Sequence, residues 1–318
     1  MRRLLRERVG RWLGPGPLVH DGALVEVSGG TAAFTTDSFV VSPLFFPGGD
    51  LGRLAVCGTA NDLAMCGARP LALSLSLILE EGLPLETLDR LLQSVAETAE
   101  QAGVRVVTGD TKVVERGKAD GVFMNTAGLG APLPGARVHP RRLSAGDVIL
   151  VTGDLGRHGM AVMAARSGLG LELDLPSDVA PVFPAIAALL ERGIDLRCAR
   201  DPTRGGLVSV LHEWAEASGL GAELDETAVP VCPEVAAAAE LLGLDPWLLA
   251  CEGRAVLAVP EAEVQAALDA LRAVPVSAGA AVIGRLREGG GGPVIARGPW
   301  GTRRLVDLPD GELLPRIC

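Results

Sequence analysis

Four aspartates fall where the chain turns or a strand ends: Asp37 in TTDSF, Asp62 in GTANDLAM, Asp110 in TGDTK and Asp201 in RDPTRGG. Each alone is commonest as a cap or turn residue, because a short carboxylate bonds nearby backbone amides. Gathered by folding, they would repel one another unless they held cations, and hard oxygen ligands beside a polyphosphate suit Mg²⁺. Asn61, Thr111 and Lys112 accompany them, and Lys112 could neutralise a phosphate or a developing oxyanion. Arg204, Gly205 and Gly206 open a helix whose first N–H groups and positive end could hold an anion. The chain stops at Cys318, in GELLPRIC. A terminal thiol has few neighbours to bury it, so it is either incidental or there to be used.

Other chemistries find no support. The Gly117-Lys118 pair is followed by Ala and lacks a Gly five residues earlier, so it is no Walker A loop, and GDLGRHG has the wrong spacing for a dinucleotide loop. The six cysteines form no CxxC pair and have no His-rich partner segment, which excludes a zinc site or disulfide framework and fits a reducing cytoplasm. Cys57, Cys66, Cys198, Cys232 and Cys251 read as small buried hydrophobes. His20, His139, His158 and His212 show no ligand spacing and read as structural or solvent-facing.

A length of 318 residues suits two domains, and 48% hydrophobic residues can fill both cores. A net charge of −10, no Tyr and 3% aromatics argue against nucleic acid as a partner. The longest apolar run, LALSLSLIL, is far short of the roughly 20 residues a spanning helix needs, so no membrane partner is expected. The basic opening MRRLLRERVGRWLG contains Glu7 and lacks an apolar targeting core, so it reads as a mature surface helix.

The elements that must carry the aspartates can be read from periodicity. Strands are expected at 32–40, 71–79, in VRVVTGD and in GVFMNTAGLG; helices are expected from an Asp50 cap to about Cys66, and from Pro84 to Ala102, where Gly103 stops the run. Pro, Gly and charge cluster over 132–147 and break the pattern. The second half restarts with VILVTG, then helices from about Gly159, over 182–190 and from TRGGL; strands AVLAV and AVIGRL bracket a helix over 261–273. Both halves mix α and β with too few βαβ units for a doubly wound sheet. EGGGGP (288–293) reads as a hairpin tip or loop.

From about residue 32 to the end, the segments TTDSFVVSPLFFPGGDLGRLAVCGTANDLAMCGA, ILEEGLP, VTGDTKVVERG, RDPTRGGL, CEGRAVLAV and LPRIC resemble the HypE family of hydrogenase-maturation proteins. The aspartate motifs point to the superfamily of aminoimidazole ribonucleotide synthetase, selenophosphate synthetase and thiamine-monophosphate kinase; the Pro-Arg-Ile-Cys ending specifies HypE. The resemblance implies an α+β, two-domain PurM-like fold. Its N-terminal mixed α/β domain (1–140) carries a dimer-forming sheet and binds ATP, a C-terminal α+β domain follows (141–306), and a mobile tail (307–318) carries Cys318. It implies a cytoplasmic homodimer whose Cys318 thiol receives a carbamoyl group from the HypF carbamoyltransferase. ATP then drives dehydration of that S-carboxamide to a thiocyanate, and the cyano group passes to iron on a HypC–HypD complex for [NiFe] hydrogenase.

Carried over residue by residue, Asp37, Asn61, Asp62, Asp110 and Asp201 would bind Mg-ATP, with Asp37, Asp62 and Asp110 on Mg²⁺. Thr111, Arg204, Gly205 and Gly206 would also serve the nucleotide. Lys112 and Glu252 would assist dehydration, Glu252 as base; by itself Glu252 reads as a surface residue in a turn. Residues 307 to 318 span at most roughly 36 Å extended, with Pro309 and Pro315 stiffening the arm and Gly311 letting it bend. Arg316 favours the Cys318 thiolate and the terminal carboxylate opposes it. The family's opening His-Gly-x-Gly-Gly stretch has no match before Asp37, where GPGPLVHDG carries His and Gly in another order; either the start lies upstream or the phosphates are covered differently. Two other functions are carried: a small-molecule ATP-dependent synthetase or kinase of the same superfamily with an idle Cys318, and a non-catalytic nucleotide-binding scaffold.

Overall fold

The computed structural model describes residues 20–166, 173–289, 293–308 and 317. The expected N-terminal surface helix and the site assigned to Cys318 lie outside these residues, as does the middle of EGGGGP. No helix among the described residues is long and apolar enough to cross a membrane.

The first half forms a five-stranded sheet from β1 (Ala23–Val27), β2 (Gly30–Phe39), β5 (Ala68–Glu80), β6 (Arg105–Val114) and β7 (Val122–Pro132), in the order β1-β2-β7-β5-β6. Only β5 and β6 run parallel; the other neighbours are antiparallel. A short pair, β3 (Phe45–Phe46) and β4 (Gly49–Asp50), leads into helix α1 (Leu51–Met65), where the Asp50 carboxylate accepts the Arg53 N–H as expected of a cap. Helix α2 (Leu85–Ala102) buries one stripe, Leu91, Val95, Thr98 and Ala99, and ends on Gly103 at φ 66°.

Helix α1 is not amphipathic: 13 of its 15 residues are buried. It lies between the sheet, α2 and the second half of the chain, and small residues permit the close approach. A Cβ on Gly52 would stand 2.4 Å from the Leu91 carbonyl oxygen, and one on Gly58 2.8 Å from the Phe39 ring. Met65 and Ala64 at its end pack with Val182, Ile186 and Leu189 of the second half.

The second half forms a seven-stranded sheet in the order β14-β13-β10-β12-β8-β11-β9. Its strands are β8 (Val148–Val151), β9 (Cys198–Arg200), β10 (Gly221–Asp225), β11 (Val256–Val259), β12 (Ala281–Arg287), β13 (Val294–Arg297) and β14 (Arg303–Leu305). The sequences VILV and VLAV are buried throughout because both faces are covered. Ile149, Val151, Val256 and Ala258 meet helix α5 (Gly206–Ser218), whereas Val148, Leu150, Leu257 and Val259 meet α4 (Phe183–Glu191) and α7 (Val264–Arg272). Helices α3 (Arg157–Ala164) and α6 (Pro233–Leu242) complete this half.

The first sheet differs. Its inner face is covered by α1, whereas on the other face Val25, Phe34, Ile78 and Leu129 are exposed, and nine of ten β6 residues are exposed.

Several expectations change. Residues 261–263 form a 3-10 turn, so the last long helix starts at Val264. Strands β1, β10, β13 and β14 and helix α6 were not anticipated; the strands are short, and β1 is exposed throughout, so neither leaves a periodic signal. Cys57, Cys66, Cys198 and Cys251 are buried, but Cys232 caps α6 and is only half-buried.

Candidate functional site

The carboxylates of Asp21, Asp62 and Asp201 lie together, each offering an oxygen within 4.8 Å of the others. Three separate elements deliver them: the segment before β1, the last turn of α1, and the residue after β9. Thr35 on β2 supports the group, its hydroxyl 2.8 Å from both Asp62 Oδ2 and the Asp21 carbonyl oxygen. Arg200 pairs with Asp21 Oδ1 at 2.9 Å and with Glu213 at 2.8 Å. Asp21 Oδ2 is buried and accepts no hydrogen bond from the described residues.

Asp37 stands at the mouth, exposed. The protein packed around it raises its carboxyl, opposed by the Ser38 N–H and Arg204. Burial first, then the negative charges of Asp201 and Asp21, push Asp62 well above the ordinary carboxylate range; burial and Asp21 do the same to Asp201. A cluster so short of positive charge, with an unpartnered oxygen and only hard donors, fits a divalent cation such as Mg²⁺.

Glu252 is 2% exposed, and its Oε1 has no hydrogen-bond partner. Burial raises its carboxyl strongly, with Asp201, Asp37 and Asp178 adding to the shift and Arg204 opposing it. The turn residue expected at the surface is thus a buried acid facing the aspartate group.

Asn61 takes a different place from the one expected. Its Nδ2 donates to the carbonyls of Ala180 and Glu252, both at 3.1 Å, and its Oδ1 accepts the Val182 N–H at 2.9 Å. Both amide hydrogens are committed to backbone, so Asn61 ties α1 to the bend that carries Glu252 ahead of β11 and has no donor left for a nucleotide.

Asp110, Thr111 and Lys112 are not brought to the cluster. Asp110 shares a row with Ser76, Asn125 and Ser38, one residue out of step with Asp37. Alternation therefore aims Asp37 at the helix-covered face and Asp110 at the open one. The three strand spacings between them also amount to about 14 Å. Asp110 and Lys112 pair at 3.0 Å with both side chains more than half exposed, and Lys112 and the Thr111 N–H hold the Asp110 carboxyl below its ordinary value. Of the three aspartates expected on Mg²⁺, Asp110 is thus held apart from Asp37 and Asp62 within one chain.

Gly205 and Gly206 have φ of 79° and 56°, and a Cβ on Gly206 would lie 2.4 Å from the Trp247 carbonyl oxygen. Only glycine lets α5 begin there, which sets Arg204 where its charge acts on Asp37 and Glu252. Sequence reasoning missed Asp21: the Asp-Gly pair ahead of β1 was the available signal.

Comparison with known proteins accords with this arrangement. Residues 19–131 match the N-terminal domain of AIR synthase related proteins and residues 144–297 their C-terminal domain. The chain is 52% identical over 298 residues to carbamoyl dehydratase HypE of Rhodobacter capsulatus, covering 94% of this chain and 87% of that protein. It superposes on a chain in the crystal structure of a HypE–HypF complex with a TM-score of 0.91 at 41% identity, covering 96% of this chain and 99% of the other. It also superposes on HypE crystallised in complex with ATP, with a TM-score of 0.86 at 42% identity, covering 100% and 96%. With two domain models in tandem and this identity along nearly its whole length, the chain belongs to the HypE family of AIR synthase related proteins.

Proposed function

We propose that the protein is an ATP-dependent carbamoyl dehydratase acting on its own C-terminal Cys318, supplying cyanide for [NiFe] hydrogenase iron. The observation that carries this is Glu252: a buried carboxyl, one oxygen of which has no hydrogen-bond partner among the described residues, electrostatically coupled to an acidic cluster suited to Mg²⁺ and nucleotide. In the reaction the S-carboxamide oxygen attacks the γ-phosphorus of ATP, releasing ADP. Glu252 takes an N–H proton, the carbon–oxygen bond breaks with phosphate leaving, and loss of the second N–H proton completes C≡N. Asp21, Asp62 and Asp201 would hold Mg²⁺, which neutralises phosphate charge during the transfer. Arg200 steadies Asp21, and Arg204 moderates the charge around Asp37 and Glu252.

The division at residues 140/141, with a tail from 307, is part of this reading. So is a homodimer built on the open face of the first sheet, because an apolar face of that kind on a soluble chain is normally covered. On this reading Asp110 and Lys112 serve a second copy's site across the interface, since within one chain they stand on the face of the sheet turned away from the cluster. The partners are HypF, found with a family member in a crystal, and a HypC–HypD iron scaffold, in the cytoplasm.

Mass spectrometry of the C-terminal peptide tests the function. Incubation with the carbamoyltransferase and carbamoyl phosphate should put a carbamoyl adduct on Cys318, and ATP should remove one water from it. Glu252→Gln should stop at the adduct, slowing water loss by about 10²–10⁴-fold. An adduct on another residue sinks the proposal.

A further inference from the structure

His158, at the start of α3, is fully buried and has both ring nitrogens engaged. Nδ1 lies 2.9 Å from Ser177 Oγ, and Nε2 lies 2.8 Å from the carbonyl oxygen of Ile317. The Ile317 carbonyl oxygen can only accept, so Nε2 must carry the proton, and in a neutral ring Nδ1 then accepts the Ser177 hydroxyl hydrogen while Ser177 Oγ accepts the Val179 N–H at 3.1 Å. The imidazole then carries its proton on Nε2 and donates it to Ile317. Burial lowers the His158 pKa, in keeping with a neutral ring.

The surroundings form a seat. Ile317 is 5% exposed and joins the apolar cluster of Phe46, Val162, Val179 and Ala250. The Phe46 ring, from the first half of the chain, meets the His158 ring edge to face at 5.3 Å. Asp178 fixes the seat to the reaction site: one oxygen accepts the His158 N–H at 2.9 Å, and the other accepts the N–H of Gly253, next to Glu252, at 3.0 Å.

We propose that His158 is a positioning residue that docks the penultimate residue of the tail, gripping the Ile317 carbonyl while the apolar seat takes its aliphatic side chain. Holding residue 317 confines the next Cα to about 3.8 Å from it, so the seat selects for an aliphatic residue before the terminal Cys and presents that Cys to Glu252. This deepens the reading of Cys318 as a tethered substrate and rests on it.

Two measurements on full-length protein test it, using wild type, His158→Leu, His158→Gln and Ile317→Asp. Ile317→Asp places the change on the tail side of the contact, and circular dichroism checks that the fold is kept. First, alkylation of Cys318 by N-ethylmaleimide is followed by peptide mass spectrometry. It should run about tenfold faster in His158→Leu and Ile317→Asp, which lose a buried hydrogen bond or the apolar fit, and near the wild-type rate in His158→Gln, whose amide can still donate. Second, ATP-dependent water loss from the carbamoylated tail should slow about tenfold in the same two variants and recover in His158→Gln. Equal alkylation rates in all four proteins would overturn the seat. Equal rates of thiocyanate formation would overturn His158 as a positioning residue while leaving the dehydratase reading intact. The expected alkylation pattern without thiocyanate in wild type would support the seat and refute the dehydratase reading.

Discussion

Asp62 and Asp201 bind their protons more tightly in the folded protein than in the unfolded chain, because burial and neighbouring charge raise their carboxyls. Their stabilising contribution is therefore complete below the ordinary carboxylate range and is lost as pH rises through their raised values. In metal-free protein the melting temperature should fall as pH rises above the ordinary carboxylate range, and Mg²⁺ with a non-hydrolysable nucleotide should restore it more at the upper end. Asp201→Asn should stabilise metal-free protein by about 1–3 kcal/mol at neutral pH, seen in urea melts, while abolishing nucleotide turnover. Loss of stability in that variant would contradict the charge crowding described here. Asp37, Asp62, Asp201 and Glu252 were legible because they sit in short, distinctive motifs. Asp21 was not, since nothing local separates it from a turn aspartate. Asn61 misled because its partners are backbone groups more than a hundred residues away.

At the scale of elements, α1 matters most, because it carries Asp62 and Asn61 and is packed on nearly every side. Gly52→Ala would drive a methyl group into the Leu91 carbonyl of α2. We expect a loss of about 1–3 kcal/mol in the denaturant midpoint, with α2 shifted away and nucleotide affinity reduced. Gly103→Ala, which meets no atom within 4 Å, should cost only its left-handed backbone strain. Sequence periodicity exposed α2, with its single buried stripe, and β5, with its alternation. It placed Asp110 on a strand correctly, but the face and order of that strand come from pairings with β5 and β7 that no local pattern contains.

At the scale of the whole molecule, the proposed second copy would account for both the open sheet face and the stranded Asp110–Lys112 pair. The proposed sharing can be tested by mixing two inactive proteins, Asp201→Asn and Lys112→Ala. If β6 of one copy completes the site of the other, a mixed dimer regenerates one intact site, and random exchange should return roughly a quarter of wild-type turnover. Sites contained in one chain would return none. A single species at monomer mass in sedimentation at micromolar concentration would remove the dimer altogether.

The Asn61 side chain has a mechanical consequence. Three hydrogen bonds from one amide span the seam between the halves, and one of them ends on the carbonyl of Glu252. Any hinge motion that parts the halves must break them and displace Glu252, the proposed general base, in the same stroke. The protein cannot gape to exchange nucleotide while remaining poised for chemistry, so opening and disarming are a single event.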